Sequence, residues 1–290
     1  MHPGLASTAC GVVGRLVEAS RSTLPAEGGP ALAPIEPATR ARTPRPDLKS
    51  IASPRPGRAD DAATRAQQLR VRRLLWTAIG VAAAITTTLV VIPRLDIAIS
   101  SLAYGPGGFV LPRFGLVLAM SWLVTIVSWI AVLGAVVLLV ANVRAGYPVL
   151  WALDTSRLLL VLLTFLLVPG LLVNTILKHH VGRARPTRIV QFGGDAQFSR
   201  AGVPADQCRR NCTFPSGEAS AAFALAAVGV ATGSPAVLAG ALAIGTLVSI
   251  VRVLTGAHFV SDVASSALLT LLAIVLLDRL LVRHSRTAPG

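Results

Sequence analysis

The chain contains few charged residues: Asp, Glu, Lys and Arg make up only 14% of its 290 positions. An ordinary soluble domain carries about a quarter, so the composition excludes that class. Hydrophobic residues make up 53% and the mean hydropathy is +0.67, which is typical of a polytopic membrane protein. The four tryptophans fit the bilayer interface and helix packing, and none indicates a cofactor site.

Cysteine is scarce, with three residues in the whole chain, which excludes a disulfide-rich scaffold. Cys10 lies near the N-terminus, whereas Cys208 and Cys212 lie close together in a polar loop. These two can form a disulfide if the loop faces an oxidising compartment. A zinc site is disfavoured, because no third and fourth ligand lies nearby at a familiar spacing.

Acidic residues are particularly few, with 13 Asp and Glu against 27 Lys and Arg, and the formal net charge is +14. In a soluble protein this excess would suggest a nucleic-acid partner. Here much of it lies in a polar N-terminal segment and beside apolar segments, where basic residues set membrane topology and contact anionic headgroups. We therefore expect the lipid bilayer, and no nucleic acid, as the partner of these charges.

Large apolar residues are rare in residues 1–73, which are rich in Pro, Ala and Arg. Such a segment buries too little apolar surface to offset its ordering entropy, so we predict a disordered cytoplasmic tail. It also lacks the continuous apolar run of a secretory signal peptide. A short cytoplasmic tail, 283–290, is predicted at the other end of the chain.

Between these tails, residues 74–282 contain six apolar segments, each near the roughly 20 residues that cross a bilayer as a helix. The fourth segment is rich in small residues, which favours close packing inside a bundle. The predicted fold is therefore all-α, a six-transmembrane-helix bundle with spans at 74–93, 115–141, 158–177, 216–232, 236–254 and 260–282.

Basic residues in the loops predict the orientation of this bundle. Those before the first span, between the second and third, and after the sixth fall on one side, which the positive-inside rule makes cytoplasmic. The loop between the third and fourth spans lies on the opposite side, yet it carries Lys178, Arg183, Arg185, Arg188, Arg200, Arg209 and Arg210. The positive-inside rule predicts few basic residues on this side, so we interpret the cluster as a binding site for an anionic ligand.

Three clusters of polar residues lie at the ends of apolar segments, where ionisable groups are functional candidates because charge is costly near a bilayer. Lys and Arg suit phosphate oxygens, and a helix that begins at Ser216 and Gly217 offers N–H groups to an anion. His258 and Asp262 are four residues apart and share a helical face, so the carboxylate can orient the imidazole as a nucleophile. The clusters are Lys178, Arg183, Arg185 and Pro186; Ser216, Gly217 and Glu218; and Arg252, His258 and Asp262.

Each cluster also has a purely structural interpretation. The first is explained equally well as a basic membrane flank with snorkelling side chains. Ser216 is explained as an N-cap, followed by Glu218 in the first helical turn. His258 and Asp262 are explained as a buried polar pair that ties helices together. The occurrence of all three clusters on one predicted side favours a phosphate site.

The clusters resemble the tripartite signature of the type 2 phosphatidic acid phosphatase family: Lys-x6-Arg-Pro, Pro-Ser-Gly-His and Ser-Arg-x5-His-x3-Asp. Lys178 and Arg185 match the first motif, and the third matches in spacing with Val251 in place of Ser. In the second motif, Glu218 stands where the family has His. The resemblance covers about residues 74–282 and implies an acid-phosphatase/haloperoxidase-like core.

The resemblance implies a membrane-lipid phosphatase in which His258 attacks phosphorus to form a phosphohistidine and Asp262 orients it. Glu218 would protonate the leaving oxygen only if burial or nearby acidic charge kept it protonated; otherwise it acts with a water or positions the substrate. Water hydrolyses the intermediate, so we expect no metal and no cofactor. The phosphoryl oxygens would be held by Lys178, Arg185, Ser216, Gly217 and Arg252.

The stretch RARPTRIVQFGGDAQFSRAGVPADQCRRNCTFPSGEAS also resembles a bacterial subset of lipid A phosphatases, which carries Ser-Gly-Glu in the second motif. This implies a site that faces the periplasm from a bacterial inner membrane, with lipid A or undecaprenyl pyrophosphate as the membrane lipid substrate. A lipid phosphotransferase and a non-catalytic lipid-binding or transport relative are the alternatives. No oligomeric state is predicted.

Overall fold

The computed structural model describes residues 58–111, 115–150 and 153–285. Within them the chain is mainly helical, with one two-stranded hairpin and a long loop over residues 181–216, which confirms the predicted all-α class. The helices are α1 Arg58–Val91, α2 Arg94–Ser101, α3 Leu116–Ala145, α4 Thr155–Phe165, α5 Lys178–His180, α6 Gly217–Ala224, α7 Ala226–Thr232, α8 Pro235–Leu254 and α9 Val260–Ser285. The hairpin pairs β1 Tyr104–Gly105 with β2 Gly108–Phe109 in antiparallel register.

Most of the predicted spans are present among the described residues. Five helical stretches are long and apolar enough to cross a membrane: Ala62–Val91, Val117–Ala145, Thr155–His180, Pro235–Leu254 and Val260–Leu281. The fourth predicted span is shorter, and it consists of α6 and α7 over Gly217–Thr232. Length and composition therefore support five spans, and the count of six stays a prediction.

The short α6–α7 pair packs against α8 through glycines. A Cβ atom on Gly229 would lie 2.5 Å from Leu238 Cα, and one on Gly245 would lie 2.6 Å from the Phe223 ring. Neither space admits a larger side chain without a shift of the neighbouring helix. Gly229 in the fourth segment and Gly245 in the fifth thus allow the two helical segments to pack closely, as the small residues of the fourth segment led us to expect.

Helix α1 begins at Arg58, well before the boundary at residue 73 that was predicted between tail and membrane domain. Residues 58–73 are rich in Ala and Arg, with two Gln, and these residues have high intrinsic helix propensity, so the apolar helix continues into polar sequence. The rest of the predicted N-terminal tail, 1–57, lies outside the described residues, as do residues 286–290 of the predicted C-terminal tail.

The third span changes its helical geometry before it reaches the first polar cluster. Helix α4 begins at Asp154, whose side chain accepts a hydrogen bond from the Arg157 N–H at 2.9 Å. From Leu166 to Leu177 the turns widen to π geometry around Pro169, which lacks an N–H for regular helical bonding. The Asn174 amide donates to the Pro169 carbonyl at 2.7 Å, and α5 then carries Lys178.

A small aromatic cluster lies beside the loop that connects α8 and α9. The rings of Tyr104, Phe109 and Phe192 have their centroids 5.0–5.3 Å apart, and they join the hairpin to the segment after α5. Gly256 in the α8–α9 loop has φ +63°, and a Cβ there would lie 2.4 Å from the Phe109 ring. Glycine is therefore required at this turn, which carries His258 two residues later.

Candidate active site

The polar clusters meet where several segment ends converge. Lys178 ends the π-helical stretch, Ser216 precedes α6, Arg252 lies in the last turn of α8, and His258 lies just before α9. Lys178 is within electrostatic reach of Arg185, Glu218 and Arg252. His258 is likewise close to Arg185, Arg252 and Asp262. The structure thus brings together the residues that the motifs predict, although they are spread over 85 positions from Lys178 to Asp262.

The imidazole of His258 is buried, with 2% of its side chain exposed, and its Nδ1 lies 2.8 Å from the carbonyl oxygen of Thr213. A carbonyl oxygen only accepts, so Nδ1 carries the proton and Nε2 keeps a free lone pair. Burial lowers the pKa of His258 from its ordinary value, and the neighbouring Asp262 opposes that shift.

The distance between Asp262 Oδ2 and His258 Nδ1 is 3.7 Å, which is longer than a normal hydrogen bond. Its nearest partners are Arg183 Nη1 at 2.5 Å, the Thr213 hydroxyl at 2.6 Å and the Phe259 N–H at 2.8 Å. The carboxylate therefore fixes the segments on both sides of the imidazole. The close acceptor for His258 itself is the Thr213 backbone, which no side-chain motif predicts.

Arg183 belongs to the first cluster, but the sequence predicts no role for it. In the structure it contacts Asp262 on the side away from His258. The side chain is fully buried, and Nη2 donates to Asp96 Oδ2 at 2.9 Å while Nη1 donates to Asp262. Its guanidinium also stacks 4.2 Å from the centroid of the Phe259 ring.

Asp96, in α2, was missed by the sequence analysis. Its carboxylate is 1% exposed and accepts from the Ser261 N–H at 3.0 Å and from the Ser261 hydroxyl. Burial raises the pKa of Asp96, but Arg183 beside it and these donors favour the ionised form. The available signal was one acidic residue in the apolar stretch that follows the first span.

The second cluster begins α6 as the structural interpretation expects. Ser216 Oγ accepts from the Ala219 N–H at 3.4 Å, so the residue is an N-cap, and it is fully buried. Gly217 is close to the third span, because a Cβ there would lie 2.3 Å from Asn174 Oδ1. That amide oxygen also accepts from Lys178 Nζ at 3.3 Å. The glycine therefore lets Lys178 and the α6 N-terminus share one surface.

Glu218 pairs with a cation of the site. Its Oε2 lies 3.0 Å from Arg252 Nη1 and accepts from the Ser121 hydroxyl at 3.1 Å. The Glu218 side chain is 37% exposed, whereas that of Arg252 is 13% exposed. The Glu218 carboxylate is thus held against the guanidinium of Arg252.

The loop before α6 holds the other arginine of the site. Arg185 Nε and Nη2 both donate to the Asn211 carbonyl, each at 3.2 Å. Asn211 adopts φ 53° within the ring closed by the Cys208–Cys212 disulfide, whose Cα atoms are 5.6 Å apart. The disulfide ring therefore supports both Arg185 and the Thr213 backbone that follows it.

A crevice of about 660 Å³ extends from these polar groups between α3, the third span and α6. Its polar end contains Lys178, Gly217 and Glu218, and its walls are apolar side chains including Trp129 and Phe165. In the described part of the chain, no three His, Cys, Asp or Glu side chains form a group that could hold a metal ion.

Comparison with known proteins agrees with the three motifs. Residues 157–286 match the model of the PAP2 superfamily. A lipid A 4'-phosphatase from Rhizobium leguminosarum is 42% identical over 111 residues, which cover 37% of this chain and 48% of the relative.

Two further lipid A 4'-phosphatases are similar. That of Rhizobium etli is 42% identical over 38% of this chain and 44% of its own length. That of Francisella tularensis subsp. novicida is 40% identical over 33% and 45%. The chain thus spans less than half the length of the curated relatives it matches, and no solved structure matches it. Residues 157–286, somewhat less than half of the chain, are therefore similar to the PAP2 superfamily.

Proposed function

We propose that the protein is a phosphatase of a membrane lipid and acts through a phosphohistidine at His258. The hydrogen bond between His258 Nδ1 and the Thr213 carbonyl oxygen carries this proposal, because it leaves Nε2 as the free nucleophilic atom. The lowered pKa of His258 keeps that nitrogen unprotonated near neutral pH.

Three cationic side chains supply the charge that a phosphoryl group requires. Lys178, Arg185 and Arg252 lie close enough to repel one another, and a phosphate dianion between them relieves that repulsion. Arg185 is held by Asn211 and Arg252 by Glu218, so both are oriented before a substrate arrives. Fixed cations of this kind stabilise the charge of the transition state.

The reaction divides into two displacements at phosphorus. In the first, Nε2 of His258 bonds to phosphorus, the P–O bond to the lipid breaks, and the leaving oxygen takes a proton from solvent. In the second, water attacks the phosphohistidine, the P–N bond breaks, and its electron pair returns to Nε2. Glu218 suits the second step, because its carboxylate can accept the proton of the attacking water.

The apolar crevice supports a lipid substrate. Its polar end lies at the residues proposed to bind the phosphoryl group, and its walls are formed by apolar side chains of the membrane spans. Lipid A is the first candidate substrate, because the relatives are named lipid A 4'-phosphatases. Undecaprenyl pyrophosphate, which also joins an anionic phosphate group to an apolar chain, is the second candidate. In the orientation that the loop charges predict, both termini are cytoplasmic and the site faces the periplasm of a bacterial inner membrane.

The proposal is tested by phosphate release from purified, detergent-solubilised protein supplied with lipid A, undecaprenyl pyrophosphate, phosphatidylglycerophosphate or phosphatidic acid. We expect release from one lipid, its loss in His258→Ala, and its retention in His179→Ala, which removes an exposed imidazole from the end of the third span. Trapping of radiolabelled phosphate on the native protein, and not on His258→Ala, would identify the intermediate.

Two results would contradict the proposal. Undiminished phosphate release by His258→Ala would exclude this residue as the nucleophile. No release from any of the lipids by folded protein would exclude the hydrolase, and transfer of the label to an added acceptor lipid would then identify a phosphotransferase.

A further inference from the structure

We infer that Asp96 and Arg183 are positioning residues that hold Asp262, and through it the loop of His258, in the geometry of phosphoryl transfer. The inference rests on the proposed function. Arg183 lies between two buried carboxylates, 2.9 Å from Asp96 and 2.5 Å from Asp262. Ser261, next to Asp262, donates its N–H and its hydroxyl to Asp96. Helix α2 is thereby attached to the first turn of α9.

Arg183 is too tightly held to act on a substrate itself. Nε donates to the Ser199 carbonyl at 2.9 Å, and Nη1 also donates to Ser261 Oγ at 2.8 Å. The guanidinium lies against the rings of Phe198 and Phe259, 5.3 and 4.2 Å from their centroids. Because the side chain is wholly buried and its nitrogens are engaged, its effect on phosphorus passes through Asp262.

The charge of the cluster determines what the loss of Asp96 would do. Two carboxylates and one guanidinium give the cluster a formal charge of −1, and replacing Asp96 by Asn makes it neutral. The other charged groups close to His258 are Arg185 and Arg252, both cationic. Without Asp96 the protonated imidazole is less stabilised, and Arg183 is free to shift toward Asp262.

The test is the substitution Asp96→Asn in the full chain, with turnover measured across pH. We expect kcat to fall about tenfold or more while KM stays within about twofold, because Asp96 lies behind the nucleophile and outside the phosphate site. The acid limb of the kcat/KM profile should move to lower pH. Asp195→Asn, which removes an exposed carboxylate from the connecting loop, should leave both unchanged.

Ser261→Ala is the second variant, and it removes only the hydroxyl that joins Asp96 to Arg183. A smaller fall in kcat at constant KM is expected. Titration of His258 by ¹⁵N-histidine NMR needs no substrate, so it separates this inference from the proposed function. Folded Asp96→Asn and Ser261→Ala proteins with native kcat, and with a native His258 titration, would overturn the inference.

A second observation lies at the other end of the bundle, roughly 25 Å away along α9 at 1.5 Å per residue. A cavity of about 370 Å³ lies between α1, α4, α7 and α9, and its described lining includes the three cations Arg72, Arg157 and Arg279 and one carboxylate, Asp278. The Arg279 guanidinium lies 5.7 Å over the Trp76 ring, and Arg157 Nη1 donates to the Ala231 carbonyl at 3.1 Å. Two of the three cations are therefore oriented by contacts within the protein.

We propose that this cavity binds the phosphate of an anionic phospholipid in the leaflet opposite the catalytic site. It lies where the apolar part of α1 begins, and its floor includes the buried side chains of Val71 and Leu75. A headgroup phosphate would meet guanidinium groups there while its acyl chains continue along apolar helix surfaces. A soluble anion would gain only the first of these contacts.

The experiment compares binding of phosphatidylglycerol and phosphatidylcholine to the purified protein by native mass spectrometry. We expect preference for phosphatidylglycerol, and affinity about tenfold or more weaker in Arg72→Gln/Arg279→Gln. Arg65→Gln/Arg70→Gln removes the same charge from α1 outside the cavity and should bind as the native protein does. Equal losses in both pairs, no preference between lipids, or competition by millimolar glycerol phosphate would overturn the proposal.

Discussion

Thr213 links the proposed nucleophile to the residue that stabilises it, and its two polar groups can be separated by mutation. Its carbonyl oxygen accepts from His258 Nδ1, whereas its hydroxyl donates to Asp262 Oδ2 at 2.6 Å. Thr213→Val keeps the backbone and nearly the same volume but removes the hydroxyl. We therefore expect it to weaken support of Asp262 and to remove the 3.1 Å contact between the hydroxyl and His258 Nδ1, while the shorter contact of Nδ1 with the carbonyl oxygen stays in place.

The magnitude follows from the burial of both partners. Thr213 and Asp262 are each 0% exposed, so no solvent replaces the lost donor, and a hydrogen bond to a buried charged group contributes about 1.5–3 kcal/mol. Asp262 keeps Arg183 and the Phe259 N–H, which places the expected loss toward the lower part of that range. If this free energy is lost from the transition state, kcat falls about ten- to fortyfold.

The assay is single-turnover phosphate release in detergent, together with thermal unfolding of each variant. Thr213→Ser is the matched control, because it keeps the hydroxyl and should retain activity within about threefold. A folded Thr213→Val protein with native kcat would refute the reasoning, since it would mean that the hydroxyl does not support Asp262 during the reaction.

Three further outcomes are expected. Because burial lowers the pKa of His258 and the neutral imidazole is the nucleophile, the pH–rate profile should stay high below the usual histidine range and fall only as the ring protonates; an acid limb above that range would contradict this. Glu218→Gln removes the 3.0 Å ion pair with Arg252 and should slow phosphohistidine hydrolysis more than its formation, so labelled intermediate should accumulate in rapid-quench measurements; an unchanged steady-state level would exclude the base role. Gly217→Ala should raise KM for phosphorylated lipids and lower thermal stability, since its Cβ would lie 2.3 Å from Asn174 Oδ1, and native KM would show that the two segments separate freely.

The sequence predicted those parts of the site that depend on side chains at regular spacings. His258 and Asp262 lie close together, 3.7 Å apart, although His258 precedes α9 and the two share no helical face. The basic residues at the ends of the third and fifth spans converge on one region. Apolar length likewise predicted five of the helices. These features follow from helical periodicity and membrane thickness, which are local properties of the chain.

The remaining features depend on contacts between distant segments. Asp96 lies 87 residues from Arg183, and one acidic residue in an apolar stretch carries no spacing that would connect the two. The acceptor for His258 is a backbone carbonyl, which every residue possesses. The ion pair of Glu218 with Arg252 joins residues 34 positions apart, and no motif spacing predicts it. Tertiary packing, and not local pattern, determines each of these.

Residues 157–286, which match the superfamily model, do not contain all the contacts that hold their own polar groups. Two of its polar groups depend on partners outside residues 157–286: Arg183 on Asp96 in α2, and Glu218 on Ser121 in α3. A chimera that joined residues 157–286 to the first helices of another protein would leave a buried guanidinium without one of its two carboxylates. Any transplant of these residues therefore has to begin before α2, so the structural unit is longer than the sequence that matches the family model.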